Sequence, residues 1–308
     1  MKRIPKHTHV IIPTSAARHF FPSDNAPMQL PDKARVIIPT PNKEASYRFP
    51  DGEVYLRVSG LKHASKITIV HCGYPDPNGG LMELFMLLNI VRLYSHARWI
   101  EVIFTAIPYG RQDKAYYEGE LNMAETLINT LNKQYRVARI TTLDAHFANE
   151  RWVRKLTGVD IVNVSMARLL MAVAKTDHPE IVFMTPDAGS TRRTHIKEGA
   201  KKQRENSFSV KVAMGDLSGR INGKIIGVVD DILSTGTTLE KFRQETKRFG
   251  AKKVFALITH GVNPSGIQRI RAVYDGLYLT NTINRPGEAN VSVDNELWKI
   301  IMRSVNEK

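Results

Sequence analysis

The chain has 308 residues, 42% of them apolar, so it is long enough for two ordinary domains that each bury a core. No stretch approaches the roughly 18 uninterrupted apolar residues of a membrane helix, and nothing at the N-terminus resembles a signal peptide, so we expect a cytoplasmic protein with no membrane partner. The 44 Lys and Arg against 30 Asp and Glu leave a net charge of +14, which attracts nucleotides, sugar phosphates or nucleic acid.

Apolar runs of strand length alternate with amphipathic helical segments. The predicted order in the N-terminal half is strand 66–73, helix 81–97, strand 99–110, helix 122–135 and strand 136–144. The C-terminal half is predicted as helix 165–176, strand 181–187, strand 224–231, helix 237–250 and strand 252–260. This order predicts an α/β protein with two tandem domains, each a mainly parallel sheet flanked by helices. The weakly patterned stretch 158–164 places the boundary between domains 1–163 and 164–308.

Single residues add two smaller predictions. Cys72 is the only cysteine, which excludes an internal disulfide and a cysteine-based zinc cluster, and its apolar surroundings are typical of a buried structural thiol. Ser165 is a plausible cap for the helix that follows it.

The stretch VVDDILSTGTT, residues 228–238, ends an apolar strand with two carboxylates, Asp230 and Asp231. In an open parallel sheet, ligands bind beyond the carboxyl ends of the strands, where a helix N-terminus offers unpaired N–H groups. The small residues 234–238 are suited to wrapping a phosphate, and the carboxylates to holding sugar hydroxyls or Mg²⁺. An acidic turn followed by ordinary Ser/Thr capping is the alternative. It is not a P-loop, since no Gly-Lys-Ser/Thr follows a glycine-rich turn.

The same stretch resembles the phosphoribosyl pyrophosphate signature of the type I phosphoribosyltransferase fold. Seven further motifs narrow the resemblance to the ribose-phosphate diphosphokinases: FPDGE (49–53), LMEL (81–84), IPYGRQDK (107–114), TLDAH (142–146), TPDAG (185–189), ITHG (258–261) and LTNTI (279–283). They occur in the family's order from about Arg48 to Thr282. The resemblance therefore implies two domains of that fold.

The resemblance also implies roles for individual residues. The C-terminal domain would bind ribose 5-phosphate, and the N-terminal domain would bind ATP, with Mg²⁺ as the metal. The implied ribose 5-phosphate residues are Asp230, Asp231, Ser234, Thr235, Gly236, Thr237 and Thr238. The implied ATP residues are Phe49, Asp51, Glu53, Arg111, Gln112 and Asp113. His146 and Asp187 are implied for the metal and the reacting phosphates, with Asp144 supporting His146.

Several of these residues have simpler interpretations. Phe49 alone would be a core residue, and Arg111 with Asp113 would be a surface ion pair of little energetic worth. A lone histidine after a strand is often structural, but if Asp-Ala-His continues the strand, both side chains lie on one face, as a carboxylate orienting an imidazole requires.

The implied reaction transfers the diphosphoryl group of Mg-ATP to the 1-hydroxyl of ribose 5-phosphate, giving 5-phosphoribosyl 1-diphosphate and AMP. Relatives clamp the phosphates with a Lys-x-Arg pair on a loop after TPDAG, which matches Lys202 and Arg204, with Lys201 as an alternative. Family adenine sites draw the FPDGE loop from a neighbouring subunit, so a homo-oligomer of at least two chains is expected.

Three departures from the family pattern stand out. The region between TPDAG and KKQRE is about eight residues short, so the strand that carries the Lys-x-Arg pair is expected to be missing or trimmed. Thr237 stands where relatives have a glycine. The N-terminus is expected to lack the usual short strand and helix before FPDGE.

Two other functions are open from the sequence. One is a phosphoribosyltransferase. FPDGE and PYGRQDK argue against it, because these motifs have no role in that reaction. The other is a non-catalytic regulator on the same fold that senses nucleotides or binds nucleic acid. Retention of His146, Asp187, Asp230 and Asp231 argues against the regulator, so nucleic acid is not the expected partner.

Overall fold

The computed structural model describes residues 8–21, 30–186, 201–204, 210–213 and 218–307. These residues form two compact units, one of which runs to Val164 and resumes at Asp294, while the other spans Ser165–Val293. The chain passes from the first unit to the second between Val164 and Ser165, one residue after the boundary expected between residues 163 and 164. The C-terminal helix, expected in the second domain, belongs instead to the first unit.

The first unit is built on a six-stranded parallel sheet in the order β2-β1-β3-β4-β5-β6. Its strands are β1 (Thr8–Pro13), β2 (Ala34–Val36), β3 (Ala64–Cys72), β4 (Trp99–Ala106), β5 (Val137–Leu143) and β6 (Asp160–Val164). The helices α1 (Pro77–Tyr94) and α2 (Met123–Tyr135) connect β3 to β4 and β4 to β5. All three strands and both helices that the sequence predicted in this half are therefore confirmed.

Both helices begin at a side-chain cap. Asp76 accepts a hydrogen bond from Gly79 N at 3.0 Å, and Asn122 accepts one from Glu125 N at 3.0 Å. These caps satisfy backbone donors that have no partner within the helix, which fixes where each helix starts after its strand.

The N-terminal segment was predicted wrongly. It forms β1, whose Val10, Ile11 and Ile12 are fully buried between β2 and β3, followed by a 3₁₀ helix at Ser15–Phe20. Buried Glu83 of the LMEL motif holds this helix in place, because its carboxylate accepts hydrogen bonds from Ser15 N and Ser15 Oγ, both at 2.6 Å. Burial raises the pKa of Glu83, and the bonds from Ser15 oppose that shift.

The second unit contains a four-stranded parallel sheet in the order β12-β11-β10-β7 and a separate antiparallel pair, β8-β9. The elements are α3 (Ala167–Asp177), β7 (Val182–Met184), β8 (Lys201–Arg204), β9 (Val210–Ala213), α4 (Ser218–Ile221), β10 (Ile225–Leu233), α5 (Thr237–Arg248), β11 (Lys253–Gly261), α6 (Pro264–Val273) and β12 (Gly276–Leu279). The fold is the expected α/β arrangement of mainly parallel sheets. Ser165 Oγ accepts from Ala167 N at 3.2 Å, but the cap position itself is Met166.

The C-terminal helix α7 (Asp294–Asn306) packs on the first unit. Trp298 is 1% exposed and meets Phe21 edge to face, with ring centroids 5.2 Å apart. Ser304 Oγ donates a hydrogen bond to the buried carboxylate of Glu101, which also accepts one from Thr141 Oγ1 at 2.9 Å. A buried carboxylate needs such donors, so α7 completes this core.

Of the helices that the structure describes, none combines the length and apolarity needed to span a bilayer. Cys72 is fully buried, as expected of a structural thiol.

Candidate active site

The second unit presents two carboxylates near the carboxyl end of β10. The sequence predicted that the strand ends at these carboxylates, but β10 continues to Leu233. Asp230 pairs with Ile258, and Leu233 pairs with Gly261 of β11. Asp230 is half-buried and Asp231 is 4% exposed. Asp231 N also donates to Asp230 Oδ1 at 3.1 Å, which brings the two residues' polar groups together.

Strand alternation directs the two carboxylates to opposite faces of the sheet. Val228 packs in the core beneath α5 and α6, and Val229 packs in the core beneath α3. By the same alternation, Asp230 lies on the α5–α6 face and Asp231 on the α3 face. Tyr274 of the α5–α6 core supports this placement, since burial and then the nearby charge of Asp230 raise its pKa well above its usual value. The pair therefore flanks the sheet edge from both sides.

The loop after β10 has the geometry of an anion site. Gly236 is the N-cap residue of α5, with a left-handed φ of 78°, and as a glycine it contributes no side-chain hydrogen bond to the first helical turn. Thr235 Oγ1 and Thr237 Oγ1 lie 3.2 Å apart above this turn. Backbone N–H groups, a positive dipole end and two hydroxyls are thus directed to one place, as phosphate binding requires.

Helix α6 shapes this loop, and the sequence analysis did not single it out. A Cβ atom on Gly266 would lie 1.7 Å from the carbonyl oxygen of Ser234, so the loop rests directly on the helix backbone. Arg269, one turn later, donates from Nη1 to Thr237 Oγ1 at 3.3 Å and lies 3.9 Å from Glu240. Arg269 is the cation that these contacts place beside the loop.

The ITHG and LTNTI motifs form one hydrogen-bonded cluster beside the loop. Thr280 Oγ1 and Thr282 Oγ1 donate to Thr259 O at 2.5 and 2.9 Å, and His260 Nδ1 lies 2.9 Å from Thr282 Oγ1. All four side chains are at most 3% exposed. The hydrogen bonds between these residues therefore join the end of β11 to the residues that follow β12. Arg285 extends the support by donating to Gly261 O at 2.6 Å and Val262 O at 2.8 Å.

In the first unit, IPYGRQDK follows β4 at the carboxyl edge of the sheet. Arg111 and Gln112 are exposed, whereas Asp113 is 6% exposed, so a surface ion pair between Arg111 and Asp113 does not describe this stretch. Asp113 O instead accepts from Trp152 Nε1 at 3.1 Å. An ion pair of 2.8 Å joins the adjacent Lys114 to Glu150.

The TLDAH motif follows the neighbouring strand β5. The strand ends at Leu143, and Asp144 has a left-handed φ of 40°, so Asp-Ala-His is not extended and the argument from strand alternation was wrong. Ala145 N donates to Asn163 Oδ1 at 2.7 Å, which fixes the turn, and His146 is half-buried. Because β4 and β5 are paired, the residues after both strands share one sheet edge.

FPDGE forms the exposed tip of a hairpin. Phe49 N donates to Glu53 O at 2.8 Å, Gly52 N donates to Phe49 O at 2.9 Å, and Asp51 Oδ1 accepts from Glu53 N at 3.1 Å. Phe49 is 39% exposed, which excludes its interpretation as a core residue, and it meets Tyr55 edge to face at 5.6 Å. Arg48 anchors the hairpin through a 2.6 Å bond to Asp76, the cap of α1.

The remaining predicted residues concern the metal and the loop. Lys202 and Arg204 are residues of β8, paired with Val212 and Val210. The strand that the sequence analysis expected to be missing or trimmed is therefore present, with four residues. Asp187 lies outside the described residues. Among the residues that are described, no three His, Cys, Asp or Glu side chains converge on a metal site. Of the two residues expected at the metal, the structure describes His146 alone, which is half-buried after β5.

Comparisons with known proteins agree with the motif pattern. Residues 37–134 match the model of the N-terminal domain of ribose phosphate pyrophosphokinase. A ribose-phosphate pyrophosphokinase of Thermococcus kodakarensis is 29% identical over 260 residues, covering 82% of this chain and 90% of that protein. A ribose-phosphate pyrophosphokinase of Pyrococcus furiosus is 27% identical over 261 residues, with the same coverage.

A solved structure supports the fold. The crystal structure of phosphoribosylpyrophosphate synthetase from Mycobacterium smegmatis matches with a TM-score of 0.74 and 22% identity, covering 96% of this chain and 98% of that one. At this identity the match concerns the fold alone, and it confirms the two-domain architecture of the type I phosphoribosyltransferase fold.

Proposed function

Because the chain is a relative of the ribose-phosphate pyrophosphokinases, we propose that it transfers the diphosphoryl group of Mg-ATP to the 1-hydroxyl of ribose 5-phosphate. The observation that carries the proposal is the N-terminus of α5, which begins at Gly236 with threonine hydroxyls on either side and follows Asp230 and Asp231. This arrangement suits a sugar that carries both hydroxyls and a phosphate.

In the proposed second-unit site, the 5-phosphate binds to the N–H groups and hydroxyls of residues 234–238. Asp230 and Asp231 accept hydrogen bonds from the ribose hydroxyls. The side chain of Thr237, which relatives replace by glycine, does not obstruct the loop, since its hydroxyl faces Thr235 Oγ1 and Arg269. The backbone contact with Gly266 holds the loop rigid, which favours correct positioning of the sugar.

In the proposed first-unit site, Arg111 and Gln112 contact the ATP phosphates and Asp113 supports them from its buried position. Phe49, Asp51 and Glu53 bind the adenine of a neighbouring chain, because their hairpin tip is exposed in its own chain. We therefore propose an oligomer of at least two chains. A fully active monomer in light scattering at the assay concentration would exclude this arrangement.

The reaction is an in-line displacement at phosphorus. The 1-hydroxyl oxygen attacks the β-phosphorus, the bond from that phosphorus to the oxygen bridging the α-phosphate breaks, AMP leaves with the bridging oxygen, and the hydroxyl proton is released. His146 and Asp187 are the residues that would hold Mg²⁺, which would supply neutralisation of the charge that develops on the phosphates. Lys202 and Arg204 clamp the transferring group, and positioning supplies most of the rate.

The proposal is tested by mass spectrometry of the purified protein incubated with Mg²⁺, ATP and ribose 5-phosphate, alongside Asp231→Ala and Lys202→Ala. We expect AMP and phosphoribosyl diphosphate in equal amounts, with the product lost in Asp231→Ala. Loss of product in Lys202→Ala would support the assignment of Lys202 to the Lys-x-Arg pair that clamps the phosphates. Absence of AMP with any metal or nucleotide would instead favour the non-catalytic regulator, for which tight, steeply salt-dependent RNA or DNA binding is the signature.

A further inference from the structure

Two segments at the carboxyl edge of the first sheet are joined by side chains that belong to none of the sequence motifs. One segment is the loop 110–114 after β4, and the other is a run of turns at 145–153 after β5. The loop contains the residues proposed for the ATP phosphates, and the turns contain His146, proposed for the metal. The distance between these two sets of ligands therefore depends on how the segments are fixed to each other.

Trp152 makes the first contact between the segments. Its Nε1 donates to Asp113 O at 3.1 Å, so an indole N–H group holds the main chain inside the IPYGRQDK motif. The indole ring packs at the margin of the first core and meets the ring of Phe147 with centroids 5.2 Å apart. Because packing holds the ring, its N–H group fixes the position of the carbonyl oxygen that it binds.

Phe147 makes the second contact. It follows His146 directly in the chain and is fully buried. A Cβ atom on Gly110 would lie 3.8 Å from Phe147 Cδ1, which is ordinary van der Waals distance. The residue after the proposed metal ligand thus packs against the residue before Arg111.

Lys114 and Glu150 make the third contact, at the far end of the loop. Lys114 Nζ lies 2.8 Å from Glu150 Oε1, and this hydrogen bond raises the pKa of Lys114. Both side chains are partly exposed, so the pair by itself contributes little to stability. Glu150 N also donates to Phe147 O at 2.8 Å, so the carboxylate projects from the same run of turns as the two aromatic rings.

Ordinary packing of neighbouring loops is the simpler explanation, and it does not account for where the contacts lie. They occur at Gly110, Asp113 and Lys114, on both sides of Arg111 and Gln112, whose side chains are exposed. The backbone is therefore held around the two side chains proposed to meet the phosphates, while those side chains face solvent. Support of this kind preorganises a binding site, because it fixes the ligands before the substrate arrives.

We propose that Trp152 and Glu150 are positioning residues, which hold the loop 110–114 at a fixed distance from His146 so that ATP and its metal are bound in register. The inference rests on the proposed binding of ATP at this sheet edge and adds two residues to it. Neither residue is assigned a contact with ATP, and both act through the loop.

The test for Trp152 is calorimetric titration of the full-length protein with Mg-ATP, which requires no turnover. Trp152→Phe keeps an aromatic ring and removes the N–H group. We expect its Kd for Mg-ATP to rise roughly fivefold, as for loss of one hydrogen bond to a neutral acceptor, with the KM for ribose 5-phosphate unchanged. Trp99→Phe is the matched control, since the buried Trp99 Nε1 has no hydrogen-bond partner within the described residues, and it should change neither value.

Two double variants that preserve net charge test Glu150. Lys114→Met with Glu150→Gln removes the ion pair, and we expect the Kd for Mg-ATP to rise about threefold. Lys114→Glu with Glu150→Lys restores the pair in reverse and should return the Kd to that of the unmodified protein. Weakening in the reversed pair as well would contradict the role of Glu150, because Lys114 would then contact ATP itself.

The outcomes separate this inference from the proposed reaction. An unchanged Kd in Trp152→Phe together with a lower denaturation midpoint would overturn the inference, since Trp152 would then be structural only. Absence of ATP binding by the unmodified protein would overturn it as well. Fivefold weaker ATP binding in Trp152→Phe, with no AMP formed by the unmodified protein, would support the positioning role and refute the reaction.

Discussion

Gly266 lies so close to Ser234 that a Cβ atom added to the glycine would be 1.7 Å from the carbonyl oxygen of Ser234, in the loop between β10 and α5. The loop and α6 therefore form one packed body. A shift of one would therefore move the other, and the position of the proposed phosphate-binding loop depends on a residue to which the proposal assigns no ligand contact.

Replacement of Gly266 by alanine should displace the loop. We expect the KM for ribose 5-phosphate to rise at least tenfold and the second unit to lose about 1–3 kcal/mol of stability through overpacking. Steady-state kinetics and thermal denaturation measure both effects. The control is Gly219→Ala, since a Cβ there has no neighbour within 4 Å. Unchanged kinetics in Gly266→Ala would show that the loop does not bind the sugar phosphate.

Arg269 should contribute to binding of the 5-phosphate through its contact with Thr237. We expect Arg269→Gln to raise the KM for ribose 5-phosphate about tenfold, close to the low end of the range for a charged hydrogen bond because the side chain is half-exposed. The KM for ATP should not change. Arg248→Gln, at the other end of α5, is the matched control. An equal rise in both KM values would indicate a general disturbance instead.

Stability should fall as the solution becomes acidic, because two histidines are buried in the first unit. Burial lowers the pKa of His9 to about 4 and that of His71 to about 3. The unfolded chain therefore binds protons below about pH 6.5 that the folded chain does not. Stability is fully present above that pH and decreases toward pH 4, by about 3 kcal/mol for His9 alone.

Urea denaturation at a series of pH values measures this loss. His9→Gln, which cannot titrate, should show a shallower decline between pH 6.5 and pH 4 than the unmodified protein. His63→Gln, at an exposed position, should retain the full slope. Identical slopes in all three proteins would mean that His9 accepts its proton in the folded state.

The C-terminal helix should stabilise the first unit specifically. Trp298→Ala removes a fully buried ring, so we expect a loss of about 3–5 kcal/mol. Hydrogen exchange should accelerate in β1 and β3 and stay unchanged in β10 and β11. Phe49→Ala deletes an aromatic ring from an exposed tip and should cost little stability. Faster exchange confined to the second unit would contradict the assignment of α7.

The sequence predicted the parts of the fold that depend on local patterns. The alternation of strands and helices held because buried parallel strands are continuous apolar runs, as in β3 and β10. The loop before α5 was also identified from a local pattern, because small residues with a glycine at the start of a helix are recognisable in the sequence. The assigned roles of its residues remain predictions.

What the sequence did not predict depends on contacts between distant segments. Gly266 meets Ser234 across 32 residues of chain, and no local pattern marks that approach. The turn at Asp144 is held by Asn163 of β6, whose Oδ1 accepts from Ala145 N at 2.7 Å, and the sequence analysis left β6 unassigned. The strand β1 pairs with β2 and β3, which lie 21 and 51 residues further along the chain, and no local pattern marks those pairings.

The return of α7 to the first unit determines the order in which the protein can fold during synthesis. Trp298 and Ser304 complete the first core, yet they leave the ribosome after every residue of the second unit. The second unit can therefore fold while the first still exposes the surface that α7 will cover, which reverses the usual order of N-terminal domain first. Any factor that protects this chain during translation would have to shield the core of β1 and β3 until α7 is made.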